Sequence, residues 1–244
     1  MKKRYWIIHL RFGQVFAFCI LAIIFAAGCS SKGFNRGELQ AQVSVVKPSF
    51  DESEIKKAFD KKPNLPKPFK IAVYYKAPSF PKNDQGKWRW TDEDKAILDG
   101  VVSGLKASGA VSEIFPIIST IVQDESLKSL RLVAAKHQAD ALLIITGAAQ
   151  TDRYINGWGW SYILLAPALF VPGSEADALF LSSASLWDVR NEYLYLTSEA
   201  EASVHETHIA AFGKRDEELF NQAKSKALAN LKVELSKMIN GEKL

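Results

Sequence analysis

The chain has 244 residues, 48% of them hydrophobic, with 31 Lys and Arg against 27 Asp and Glu, and two cysteines. Residues 1–28 hold Lys2, Lys3, Arg4, Arg11 and Cys19 but no acid, so residues 29–244 carry 27 charges of each sign and one thiol. That balance removes the basic surface a nucleic-acid binder needs. A single thiol excludes an internal disulfide, a Cys-x-x-Cys pair and a thiolate zinc site.

The first elements form a leader. Met1-Lys2-Lys3-Arg4 is basic, Val15 to Ala27 is an unbroken run of 13 apolar residues, and Gly28-Cys29-Ser30-Ser31 follows. Positive start, apolar run and small residues are the order of a secretory signal. The run is shorter than the roughly 20 apolar residues of a membrane span. Ala26-Ala27-Gly28-Cys29 resembles the lipobox of bacterial lipoproteins. That resemblance implies cleavage before Cys29, removal of residues 1–28 and lipid on Cys29. It also implies a periplasm-facing protein, and Ser30 in place of Asp implies the outer rather than the inner membrane.

Residues 29–68 read as a tether, with Pro48, Pro63, Pro66 and Pro68 favouring extended chain. A short helix is expected over 51–60, where Ile55, Ala58 and Phe59 share one face. A single domain is expected over 69–240, with 241–244 as a tail. Phe69 to Tyr75 is rich in β-branched and aromatic residues and reads as a strand. Thr91 is placed to cap a helix over 92–107, with Ile97, Val101 and Leu105 inward. Val111 to Ile121 reads as an edge strand because of Pro116. Asp124 caps a helix reaching Gln138, with Leu127, Leu130 and Ala134 inward. Ala141 to Gly147 is continuously apolar, as a strand buried on both faces would be.

The second half reads as antiparallel strands over 179–187 and 193–204, with a turn at 188–192 where Asn191 takes positive φ. A long helix follows over 216–239, burying Leu228, Leu231, Leu235 and Met238, with Lys224, Lys226, Lys232 and Glu234 outward. The fold class is therefore α/β (α+β): a β-α-β-α-β half, then antiparallel strands and a long C-terminal helix, with helices laid on the sheet.

The segments His137 to Ala149 and Leu186 to Tyr195, in this element order, resemble periplasmic lipoproteins with a CsgG/LpoB-like domain. A nearer resemblance is to the rhombotarget lipoprotein group. The Gly-Gly, apolar and basic C-terminal tail of that group has no match in Asn240 to Leu244, so such processing is not expected. The resemblance implies a structural rather than catalytic module. In the curli-secretion relative the domain carries membrane-inserting hairpins.

Ser103-Gly104-Leu105-Lys106 fits Ser-x-x-Lys, yet the companion Ser-x-Asn and Lys-Thr-Gly elements are missing from the sequence, and the pair reads as surface. His205 and His208 with Glu201 are the weak metal candidate; on a strand the two imidazoles point to opposite faces. Asp152-Arg153 and Asp188-x-Arg190 read as ion pairs and turn caps. Gly157 and Gly159 lack a phosphate-loop context. Tyr154 to Gly173, with Trp158, Trp160, Tyr162 and Phe170, reads as a buried crossover, a protein-docking loop or a bilayer contact. Pro167 and Pro172 forbid a long helix there.

The function expected from these readings is a non-catalytic docking or assembly module of the envelope. It is lipid-anchored, has no cofactor, and has an envelope protein or a second copy as partner. The alternatives are a subunit of a secretion channel and, less favoured, a metal-dependent hydrolase.

Overall fold

β-branched and aromatic residues fill β1 (Phe69–Tyr75), and the sheet grows outward from it. A computed structural model describes residues 31–44, 51–76, 88–107, 109–156, 170, 172–209 and 216–241. The chain divides into two units by internal packing. One holds Phe34–Thr151, Ala178–Val204 and Arg215–Leu244; the other holds Met1–Gly33, Asp152–Asp177 and His205–Lys214.

In chain order the described elements are α1 (Arg36–Val43), α2 (Glu52–Asp60), β1, α3 (Asp92–Ala107), β2 (Val111–Pro116), α4 (Leu127–Lys136), β3 (Ala141–Ile155), β4 (Ser174–Asp188), β5 (Leu194–His208) and α5 (Asp216–Gly241). A five-stranded sheet runs β2-β1-β3-β4-β5. β1 is parallel to both neighbours, with Ile71 opposite Ile114 of β2 and Ala141 of β3. Parallel neighbours need crossovers, and α3 and α4 supply them. Five residues join β4 to β5, too few for a crossover, so that pair is antiparallel. The fold is mixed α/β.

Alternation along the strands assigns the two faces. Ile71, Val73, Ala141, Leu143 and Ile145 meet Leu98 and Leu105 of α3 and Leu228, Leu231 and Leu235 of α5. Ala72, Tyr74, Leu142 and Ile144 meet Leu130, Val133 and Ala134 of α4. Both faces of the central strands are thus dry, which explains why Ala141 to Ile145 lacks polar alternation. β2 stays at the edge, where Pro116 costs little.

Helix ends follow their capping residues. The Asp94 N–H donates to Thr91 Oγ1 at 3.3 Å, and the Thr91 N–H donates to Asp94 Oδ2 at 2.8 Å, a reciprocal box. α4 is capped by Ser126 rather than Asp124; the Asp124 carboxylate instead accepts from the Ser126 N–H at 2.8 Å. At its end the Gln138 and Ala139 N–H groups bond back to Ala135 and Ala134, with Gln138 at φ 60°. This is a Schellman closure without its usual glycine.

Other expectations also need correcting. Lys224 is 1% exposed, not outward. It sits one turn from Phe220 and one from Leu228, inside the stripe α5 buries. Met238 is 38% exposed, beyond the last turn that meets the sheet. Positive φ falls on Glu192 (62°), not on Asn191. Asn191 is held instead as a turn residue, its Oδ1 accepting from the Tyr193 N–H at 2.8 Å. β2 stops at Pro116, short of Ile121. β3 continues past Gly147 to Ile155, β4 starts earlier at Ser174 and β5 ends later at His208. Small and polar residues hid these strand ends from a reading based on hydrophobic runs.

Helix α1 falls inside the stretch read as a tether. Its Leu39 and Val43 are buried against Ala148, Leu179 and Leu181. Asn35 caps it, its Oδ1 accepting from the Glu38 N–H at 3.2 Å. The Val43 carbonyl accepts from Thr146 Oγ1 at 2.9 Å, and the Asn35 N–H donates to Gln150 Oε1 at 2.8 Å. By contrast α2 buries no residue, and Phe59 is 85% exposed.

Candidate functional site

The ends of β3, β4 and β5 gather the chemistry-bearing side chains of the second unit. Alternation on β3 places Asp152 and Tyr154 on one face. Asp152 is 8% exposed, and its Oδ2 accepts from Ser31 Oγ at 2.6 Å and from the Gly33 N–H at 3.0 Å. The Lys32 N–H donates to the same carboxylate. Gly33 at φ 73° lets successive N–H groups converge on one anion. Nothing would obstruct a Cβ at Gly33, so the backbone angle rather than space requires glycine. Burial alone would raise the Asp152 pKa; bonds from Ser31, Gly33 and Lys32 outweigh it and hold the carboxyl below its usual range. Asp152 thus bonds to the N-terminal segment, a partner that the reading of Asp152-Arg153 as a local pair missed.

Beside it, the Tyr154 hydroxyl bonds to Glu175 and Asp177 of β4, and those bonds to carboxylates, Glu175 foremost, raise its pKa. Asn156 Nδ2 donates to Glu175 Oε1 at 3.0 Å, and this bond with the Tyr154 one keeps Glu175 ionised below its ordinary range. His205 Nδ1 lies 2.7 Å from Asp177 Oδ1, and its Nε2 lies 3.2 Å from Thr207 Oγ1.

Thr207, His205 and Asp177 have the hydroxyl–imidazole–carboxylate order of a nucleophilic triad. Catalysis also needs a concave site and donors aimed at a developing oxyanion. The His205 side chain is 54% exposed, and Thr207 follows it at i+2 on the same strand face. A polar ladder across strand ends accounts for every one of these contacts.

The metal candidate does not assemble. Glu201 accepts a two-pronged bond from Arg36, with Nε and Nη2 each 3.1 Å from a carboxylate oxygen. His205 is turned to Asp177, and His208, three residues on along a strand, projects from the other face. Among the described residues no group of three His, Cys, Asp or Glu side chains is placed to hold a metal ion.

Other candidates from the sequence lie apart from this cluster. Ser103 and Lys106 are exposed on α3, lining an open depression with Asp99, Ala107 and Ile114. Asp188 Oδ1 accepts from the Arg190 and Asn191 N–H groups at 2.8 and 3.2 Å, a turn cap. Arg190 pairs with Asp140 at 2.6 Å, and Arg131 pairs with Glu192. Phe170 is 76% exposed. Cys29, Gly157, Trp158, Gly159, Trp160 and Tyr162 lie outside the described residues.

No family model matches the chain, and no curated protein matches it. Solved structures give distant likenesses. The PelC dodecamer from Paraburkholderia phytofirmans is 14% identical, with 72% of this chain and 91% of that chain covered and a TM-score of 0.30. Lipoprotein GNA1162 from Neisseria meningitidis is 18% identical, with 72% and 100% covered and a TM-score of 0.33. A minor lipoprotein from Acinetobacter baumannii is 10% identical, with 73% and 94% covered and a TM-score of 0.34.

Proposed function

We propose that this chain is a lipid-anchored envelope lipoprotein whose domain acts without catalysis, docking another envelope protein beside the membrane that holds it. One observation carries the reading: a basic start, a 13-residue apolar run and Ala-Ala-Gly immediately before Cys29. The side chains that could have argued for an enzyme are engaged elsewhere. Glu201 is paired with Arg36, and His205 lies against Asp177 on an exposed strand surface. The outer membrane is the membrane proposed, because Ser30 rather than Asp follows Cys29.

Metabolic labelling with a clickable palmitate analogue tests the anchor. The wild-type chain takes the label and fractionates with membranes; Cys29→Ala takes none and leaves them. Photo-crosslinking from Phe170 in cells tests the docking role. A defined protein adduct supports it, and adducts to lipid alone oppose it.

A further inference from the structure

We propose that α2 docks a second copy of this chain: its Ile55–Phe59 face seats, antiparallel, in the depression between α3 and β2 of the next copy. This goes beyond the docking reading above, because it names a partner, a pair of surfaces and a direction, and it does not depend on lipid.

α2 is amphipathic and its own chain leaves the apolar face uncovered. Ile55 and Phe59 are one turn apart on one side of the helix. They are 46% and 85% exposed, and α2 buries no residue. The chain nevertheless holds the C-terminal end of the helix in place. Lys61 Nζ pairs with Glu192 Oε2 at 3.3 Å, Asn191 Nδ2 donates to the Lys62 carbonyl at 2.7 Å, and the Asn64 N–H donates to the Tyr195 hydroxyl oxygen at 2.8 Å. The apolar face is thus presented from a stem pinned to the β4–β5 connection and to the start of β5.

The receiving surface lies at the other edge of the sheet. Asp99, Ser103, Lys106 and Ala107 follow at i, i+4, i+7 and i+8, one face of α3. With Ile114 of β2 they line a depression of about 530 Å³. A carboxylate and an ammonium stand toward its two ends, about 10 Å apart along the helix axis, and Ala107 and Ile114 supply apolar surface. β2 and β5 are the two edges of the sheet. α2 does not enter the depression of its own copy, since none of its residues is buried. A contact between two different surfaces at opposite edges is head-to-tail rather than two-fold.

Charge sets the direction. Glu52, Ile55, Lys56 and Phe59 fall at i, i+3, i+4 and i+7, so an acid and a base flank the apolar pair. Laid antiparallel on α3, Glu52 meets Lys106 and Lys56 meets Asp99. Laid parallel, like charges meet at both places, which disfavours that alignment. A buried Phe contributes roughly 150–250 Å². Together with Ile55 that is well short of the roughly 800 Å² per partner of a standard interface. The contact is therefore weak and transient, and crosslinking reads it better than elution volume.

The test is photo-crosslinking of the full chain in cells from a benzophenone side chain at position 55. The expected product has twice the chain mass, and its crosslinked peptide falls within residues 99–114. Phe59→Ala lowers the yield at least about fivefold, as loss of an aromatic anchor does. Lys106→Glu also lowers it, and Glu52→Lys combined with Lys106→Glu restores it. Lys57→Glu, on the opposite side of α2, leaves it unchanged. All four positions are exposed, so the variants keep the core intact. No double-mass product, a crosslink confined to one chain, or a charge swap without rescue overturns the proposal. An adduct from position 55 to a different envelope protein also overturns it and leaves the docking reading standing. No protein adduct from either position 55 or position 170 overturns both.

Discussion

Lys224 Nζ lies 2.7 Å from Asp94 Oδ2, and neither side chain exceeds 3% exposure. The ammonium also donates to the Arg89 carbonyl at 2.7 Å and stands 5.8 Å from the Trp88 ring centroid. α5 is thereby tied to the start of α3 through a buried ion pair. Removing one partner leaves an uncompensated buried charge. Lys224→Met should cost about 3–5 kcal/mol, a large share of the stability of an ordinary domain. Lys224→Met combined with Asp94→Asn should cost less than Lys224→Met alone, since no buried charge is then stranded. Urea denaturation midpoints of the two variants check the order.

Two glycines should respond oppositely to alanine. A Cβ at Gly147 would lie 2.7 Å from Phe180 Cζ and 2.9 Å from a Trp88 ring carbon. Those rings already pack edge to face, 4.8 Å between centroids. Gly147→Ala should therefore destabilise by about 1–3 kcal/mol. A Cβ at Gly104 meets nothing within 4 Å, and Gly104 lies inside α3. Gly104→Ala should stabilise by about 0.5–1 kcal/mol. Thermal unfolding of the pair reads both signs.

Gln138 carries the left-handed turn that ends α4, at φ 60°. Glycine adopts that conformation without the steric cost of a Cβ. Gln138→Gly should raise stability by about 1 kcal/mol. Gln138→Val should lower it, because a β-branched residue tolerates positive φ worst. Guanidinium unfolding curves distinguish the two.

Acid should release the segment Ser31 to Gly33 from the Asp152 carboxylate that accepts its hydrogen bonds. The Asp152 pKa is depressed in the folded chain, so its contribution is present above the unfolded carboxyl value of about 3.9 and is lost as pH falls through the lower folded value. That segment should stay bound at neutral and mildly acidic pH and loosen only below about pH 4. Fluorescence anisotropy of a dye on Lys32→Cys should hold level down to that range and then drop. In Asp152→Asn it should already be low at neutral pH.

The periodic elements were legible in the sequence. β1, α3, α4 and α5 bury regularly spaced apolar side chains, and Thr91 and Pro116 mark a helix start and an edge strand by local chemistry. Elements whose cause is tertiary were not legible. α1 offers two apolar anchors, Leu39 and Val43, and folds because β3 and β4 present Ala148, Leu179 and Leu181 to them. Lys224 reads as surface by residue type, although its spacing from Phe220 and Leu228 marks a buried position. At the candidate site, Asp152 and Ser31 are 121 residues apart and no local pattern joins them. The period of two through Thr146, Ala148, Gln150 and Asp152 was the available signal, weakened by the short side chains that carry it. His205, by contrast, was visible as a candidate, and its strand setting already separated it from His208.

The most direct measurement is the intact mass of the N-terminal peptide from the protein isolated out of native membranes. The account predicts a chain beginning at Cys29 with diacylglycerol on its sulfur. A chain that still starts at Met1, or one cut there without lipid, would contradict it.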